Sequence, residues 1–276
     1  MRVAAAGVAP WDAVIREGKS KVSPEPPLTL GSDLSGFVEE VGSDVSEFAI
    51  GDEVYGVTNP QFCGAQAEFA VAFAEMIAPK PRRLNHLEAA SAPVVAVAAW
   101  QMLFEYAQAK SEDTILITGA AGNVGAYAVQ IALQAGMRVI AVARSSDHEL
   151  LRAFGVQTIL DSIAGDLKTS LPQVDAVLDT VGGDTLQRCS VAAKPGGRVV
   201  SVVSTQPVPQ RAGVQSVFFY AEVTSERLRT LTDLFEKNSI SARVGSVLPL
   251  AEARSAHEML GGAPHKNGKI VLQLLG

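Results

Sequence analysis

Asp113-Thr114-Ile115-Leu116-Ile117-Thr118-Gly119-Ala120-Ala121-Gly122-Asn123-Val124-Gly125 joins an apolar, β-prone run to a glycine turn. Ala126 to Ala135 follows with helical composition and stops at Gly136. Downstream the alternation repeats. Arg138–Ala143 reads as a strand, Asp147–Phe154 as a helix, and Gln157–Leu160 and Asp175–Asp179 as strands. Asp184–Ala193 reads as a helix, and Arg198–Val203 as a strand after the Pro195–Gly197 turn. Strands apolar at nearly every position are buried on both faces, and strand and helix in strict succession make βαβ units around a parallel sheet.

Outward from this block the texture changes. Residues 1 to about 95 are rich in Gly, Pro and short β-prone runs. Gly36–Val41, Asp52–Tyr55 and the loosely alternating 65–78 are the strand expectations there. Glu88–Glu105 is alanine-rich and apolar, as in a buried helix or helix pair. Beyond the alternation, Val217–Tyr220 reads as a strand and Ser225–Lys237 as an amphipathic helix with Leu228, Leu231, Leu234 and Phe235 on one face. Lys269–Leu275 reads as a closing strand.

The glycine turn carries the sharpest chemistry. Taken as G-x-G-x-x-G, its first position is Ala120, beside Gly119, its second Gly122 and its third Gly125. The second glycine lets backbone approach a pyrophosphate, and the third lets the helix pack on the strand. The helix start offers unpaired N–H groups to an anion. Gly119, Ala121, Gly122, Asn123, Val124 and Gly125 are therefore the cofactor-cradle candidates. The competing reading is a tight βα turn without a ligand. At the end of the next strand, Arg144, Ser145 and Ser146 stand where NAD binders usually carry an acidic residue. A guanidinium and two hydroxyls suit a 2′-phosphate, so NADP(H) is preferred over NAD(H). Ser145 or Ser146 also reads as the N-cap of the following helix.

The 276 residues carry 23 Lys plus Arg against 29 Asp plus Glu, a net charge of −6 without basic runs, which argues against a nucleic-acid partner. Two cysteines, Cys63 and Cys189, make neither a disulfide framework nor a Cys-rich zinc site. The longest apolar stretch, Ala89–Trp100, is interrupted by Ser91 and Pro93 and is too short to span a bilayer. The amino terminus does not read as a signal peptide. A cytoplasmic protein without a membrane partner is the expectation.

These residues resemble the zinc-independent, quinone oxidoreductase-type members of the medium-chain dehydrogenase/reductase superfamily. The resemblance runs through Ala5–Val8 with Trp11-Asp12, Gly31–Gly36 with Val41-Gly42, and Gly51–Gly56. It continues through Ala99–Gln101, the glycine turn, Leu178–Gly183, Pro195–Arg198 and Gly268–Leu272. It implies an α/β protein in which a doubly wound Rossmann domain accompanies a GroES-like, partly open β-barrel domain. The barrel would be discontinuous, 1–96 with 223–276, around a cofactor domain of 97–222. Relatives carry a further strand pair before the segment matching Met1–Val3, so the barrel of this chain is expected to lack its usual first strands: either the true start lies upstream, or the domain lacks an edge and leaves strand groups unpaired. Ala9 and Ser32 stand where zinc-dependent relatives have Cys and His, so no metal is expected.

The resemblance further implies hydride transfer from NADPH to a quinone or an α,β-unsaturated carbonyl (an enone). Tyr55 is the first candidate donor to the substrate oxygen, against a packing role, with Ser35 and Asp33 weaker ones; for Asp33 the favoured alternative is holding a turn. Trp11, Gln61 and Phe218, with Phe219, are expected to line the substrate side. Thr180, Val181, Ser201, Val203 and the neighbouring Ser204, with Lys269 in the tail, are expected to approach the cofactor. Relatives pair through the last Rossmann strand, which makes Val217–Tyr220 the expected homodimer edge. Ala9, Ala98 and the short amino terminus also admit a non-catalytic NADPH-binding protein with a redox-responsive or structural role on the same fold. Turnover separates the two.

Overall fold

A computed structural model describes residues 1–163, 171–203 and 209–275. The chain forms two compact units, Met1–Val97 with Glu222–Gly276, and Ala98–Ala221.

The first unit opens with β1 (Arg2–Val8), α1 (Pro10–Arg16), β2 (Asp33–Phe37), β3 (Glu53–Val57), β4 (Ile77–Pro79) and α2 (His86–Ala90). Helix α3 (Pro93–Gln101) crosses the unit boundary. The second unit continues with β5 (Thr114–Thr118), α4 (Asn123–Gln134), β6 (Arg138–Ala143), α5 (His148–Ala153), β7 (Thr158–Asp161), β8 (Val174–Asp179), α6 (Gly183–Cys189), β9 (Ala193–Ser201) and β10 (Gln215–Phe218). The chain then rejoins the first unit with α7 (Ser225–Glu236), β11 (Val244–Pro249), α8 (Ala253–Leu260) and β12 (Lys269–Gln273).

The second unit's strands form one parallel sheet in the order β10-β9-β8-β5-β6-β7. From β7 inward this is the doubly wound sequence 3-2-1-4-5-6, whose direction of winding reverses between β5 and β8. Leu116, Val142, Val177 and Val199 fill one core with Leu186 and Cys189 from α6. Burial pushes the Cys189 thiol up to about 12, so it is an inert packing group.

The first unit's sheet runs β11-β12-β1-β2-β3-β4, antiparallel except where β11 meets β12. β1 is paired on both sides, by β2 and β12, and the open edges of the sheet are β4 and β11. One other expectation changes. Residues 65–78 do not make one strand: Phe69 forms an isolated bridge with Arg2 and Ile77–Pro79 makes β4, while the Phe69, Val71 and Phe73 side chains are exposed. The large apolar residues of its alternation, Phe69, Val71 and Phe73, are the exposed ones, and the alanines on the other side bury too little to hold a ladder. Pro93 lacks an N–H and divides Glu88–Glu105 into α2 and α3. β11 and α8 lie outside every sequence expectation. The predicted α7 forms as read, with Leu228, Leu231 and Phe235 buried and Thr224 capping its start.

Candidate functional site

In the second unit the turn after β5 begins at Gly119, whose φ of +61° lies in the left-handed region that favours glycine. Gly122 N–H donates to Gly119 O at 2.8 Å, and Ala120 N–H to Val142 O at 3.2 Å, which fixes the turn beside the end of β6. A Cβ at Gly125 would drive into the Gly119 carbonyl, so this glycine sets the closeness of α4 to β5. Gly122 caps α4 without any side-chain hydrogen bond, and the first helical donor to find a carbonyl is Ala126, bound to Gly122 O at 2.9 Å. The amides of Asn123, Val124 and Gly125 precede it and have no intrahelical acceptor. Gly122 is exposed, Ala121, Asn123 and Val124 are half-buried and Gly125 is buried, so the turn is open to solvent on the side of Gly122. Such a cradle fits a dinucleotide pyrophosphate.

Arg144, Ser145 and Ser146 follow β6 and are all exposed. Arg144 has no partner among the described residues, so its guanidinium is available to a ligand anion.

The strand ends beside the turn are tied by Asp179, which is fully buried. Its Oδ1 accepts from Thr118 Oγ1 at 2.8 Å and Gly182 N at 3.0 Å, and its Oδ2 from Ser201 Oγ at 2.7 Å. One carboxylate thus clamps β5, β8 and β9 where the winding reverses. Ser201 is fully buried on this clamp and is not open to a cofactor, contrary to expectation. Thr180 Oγ1 likewise donates to Thr118 O at 2.8 Å. Val181 and Val203, 47% and 42% exposed, are the residues here that present apolar surface. Ser204 lies outside the described residues. Phe218 is corrected too: it packs on the sheet's core and edge-on to Tyr220 at 4.9 Å, while Phe219 stacks on Tyr106 at 4.0 Å.

The first unit holds a buried polar cluster that the sequence did not disclose. Asp12, Ser32 and Asp33 are 0% exposed and Lys269 is 1% exposed. Lys269 Nζ donates to Asp33 Oδ2 at 3.0 Å, and Asp33 Oδ1 accepts from Val94 N at 2.8 Å. Gly7 makes room for the pair, since a Cβ there would press on Asp33 Cβ and Lys269 Cε, both at 2.9 Å. Trp11 Nε1 donates to Ser32 Oγ at 3.1 Å, and Lys269 Nζ stands 4.6 Å from the Trp11 ring centroid. Lys269, expected to meet cofactor, is therefore committed inward to Asp33, and Asp33 holds far more than a turn. The sequence signal was a lysine opening an apolar strand, Lys269–Leu272.

The two donor candidates also turn inward. Tyr55 is fully buried; its hydroxyl donates to Leu228 O at 2.8 Å and lies 3.1 Å from Thr232 Oγ1, tying β3 to α7. Ser35 Oγ donates to Val54 O at 3.0 Å and meets His86 Nδ1 at 2.8 Å, while His86 Nε2 lies 3.1 Å from Glu53 Oε1. Desolvation, reinforced by Lys80, lowers the His86 pKa. Both hydroxyls are structural ties. Tyr55→Phe should cost about 1–2 kcal/mol of stability, read by denaturant midpoint, because it leaves a buried carbonyl short of a donor. A rate loss without a stability loss would return Tyr55 to a catalytic role. Gln61 is exposed, and its carbonyl accepts from Ser23 Oγ at 2.7 Å.

Ala9 has no ligand atom, Ser32 is taken by Trp11, and Asp33 is neutralised by Lys269. Among the described residues no three His, Cys, Asp or Glu come together for a metal. No helix among them is long and apolar enough to cross a membrane.

With a glycine cradle where the doubly wound sheet of the second unit reverses, and a first unit built on a mainly antiparallel sheet, the chain belongs to the medium-chain dehydrogenase/reductase superfamily, in its quinone oxidoreductase-like branch. The family model described as alcohol dehydrogenase GroES-like domain matches residues 1–82, and that described as zinc-binding dehydrogenase matches 154–272. The quinone oxidoreductase of Mus musculus is 30% identical over 99% of this chain and 88% of its own. The solved quinone oxidoreductase of Coxiella burnetii is 32% identical, with a TM-score of 0.89 over 99% of this chain and 89% of its own. A mycobacterial protein solved in complex with NADPH is 27% identical, with a TM-score of 0.86 over 99% of this chain and 90% of its own.

Proposed function

We propose that the chain is a zinc-independent, NADPH-dependent reductase whose acceptor is a quinone or an α,β-unsaturated carbonyl. The observation that carries this is the pairing of an open α4 donor cradle with the unpartnered, exposed Arg144 at the end of β6. The cradle amides of Asn123, Val124 and Gly125 would hold the pyrophosphate. Arg144 would take the 2′-phosphate in bidentate geometry, with Ser145 and Ser146 adding hydroxyl donors. Gly119 and Gly122 keep the turn clear of side chains, and Val181 and Val203 offer apolar surface to a flat ring. When bound, NADPH supplies the hydride.

Zinc independence is supported by the ligand-poor set around Ala9, Ser32 and Asp33. With Tyr55 and Ser35 engaged elsewhere, solvent is the proton source for the reduced acceptor. Trp11, held by Ser32 and Lys269, favours a flat, apolar acceptor. A homodimer through the β10 edge, where Tyr220 is 81% exposed, belongs to the same reading.

Titration with NADPH and with NADH, followed by nicotinamide fluorescence, tests the proposal. Tighter binding of NADPH, followed by its oxidation with a quinone or enone, is the expected result. Preference for NADH would overturn the 2′-phosphate assignment. NADPH binding without turnover on any acceptor would favour a non-catalytic nucleotide binder.

A further inference from the structure

The cluster around Lys269 contains two buried carboxylates and one buried cation. Each of Asp12, Asp33 and Lys269 is at most 1% exposed, so an uncompensated charge among them is costly. Lys269 is bonded to Asp33 at 3.0 Å, and Asp33 has a further donor in Val94 N–H. Asp12 is poorer in partners. Its Oδ2 accepts from Ala9 N at 2.8 Å and lies 3.5 Å from Gln66 Nε2, while its Oδ1 is buried with no hydrogen-bond partner.

One proton on the cluster makes it neutral, and Asp12 is the carboxyl with room for it. We propose that Asp12 is a proton-holding positioning residue, whose neutral form leaves Lys269 to Asp33 and thereby fixes Trp11. In this arrangement Lys269 has one carboxylate to serve. Removing the proton from Asp12 creates a second anion competing for the same ammonium. Any shift of Lys269 is felt at Trp11, because the ammonium lies over that ring and Trp11 adjoins Asp12 on α1. Ser32 transmits the change as well: it accepts from Trp11 Nε1 and its Oγ lies 3.4 Å from Asp33 Oδ2.

The charged groups acting on Asp12 are Lys269 from β12 and Asp33 from β2. The facing helix α8 offers His257, which is lowered by burial and then by Arg16, and does not act on Asp12. Desolvation raises the Asp12 carboxyl from 3.8 to about 7, against the lowering effects of the Ala9 amide and Lys269. The sign follows. A free carboxyl loses its proton near 3.8 and the folded one near 7, so the stability this proton contributes is complete below the first value and lost as pH rises through the second.

The bearing on catalysis rests on the reductase reading, but the protonation itself does not, and it is measured without cofactor or substrate. The chain has two tryptophans, so Trp100→Phe leaves Trp11 as sole reporter. Its emission should change with pH through a single transition centred at about 7. Adding Asp12→Asn, which keeps the neutral shape, should abolish that transition and hold the low-pH emission throughout. A transition that persists in Asp12→Asn, or a flat profile before it, overturns the proposal. The infrared carbonyl band of a protonated carboxyl serves as a second measurement on the unaltered protein. It should be present at about pH 5.5 and absent at about pH 8.5; its absence at the lower pH also overturns the proposal. Where turnover is observed, the same substitution should remove an alkaline decline in kcat/KM centred at the same pH. A failure of turnover alone counts against the reductase reading and leaves the emission result standing.

Discussion

Arg144→Ala should weaken NADPH binding about 10- to 100-fold and leave NADH binding nearly unchanged. The estimate follows from the interaction lost. A charge-assisted hydrogen-bond pair to a phosphate contributes about 1.5–3 kcal/mol, and each 1.4 kcal/mol is a factor of about ten in Kd. Arg144 is exposed and without a partner among the described residues, so its removal leaves no orphaned group and should not disturb folding. NADH lacks the 2′-phosphate, so the ratio of the two affinities isolates the contact. Equal losses for both cofactors would mean that Arg144 acts on the adenosine generally. No loss for either would place the 2′-phosphate elsewhere.

Lys269→Met should cost about 3–5 kcal/mol of stability in a denaturant titration, because it strands the Asp33 carboxylate in the interior. The double variant Asp33→Asn with Lys269→Met removes both charges and should recover most of that loss, since a buried ion pair and a neutral pair of similar shape are nearly equivalent. A single variant of ordinary stability that binds NADPH weakly would instead show Lys269 reaching the cofactor, as its place in the tail first suggested. The near-total burial of both partners is the reason to expect the stability result.

The alternating block was legible because each level of the sequence agreed with the next. Ile115–Ile117 and Val139–Val142 are apolar throughout, helices end at Gly136 and Gly155, and glycines fall where the chain must turn tightly. Arg144 was equally plain, since a strand end without an acidic residue is a local feature. The polar interior was not. Asp12, Asp33 and Lys269 are far apart in sequence, and each alone looks like a turn residue or a solvated charge. Only β1, pairing with β12 on one side and β2 on the other, brings Lys269 to Asp33. Tyr55 and Ser35 misled for a related reason. A hydroxyl's chemistry is visible in sequence, but its partner is not, and Leu228 and His86 had already claimed these two. Strands short in polar alternation, such as β11, gave no periodic signal to read.

The pairing of β1 with β12 has a consequence for synthesis on the ribosome. The second unit is one uninterrupted segment whose parallel sheet is complete once β10 has emerged. The first unit must keep β1 waiting, one side unpaired, until β12, which follows the whole second unit, has left the exit tunnel. During that interval an apolar strand, with Val3, Ala5 and Ala6 all destined for the interior, has an open edge. The cofactor-binding half of the molecule is thus the early-folding half. Chaperone dependence should concentrate on the half that holds the buried ion pair.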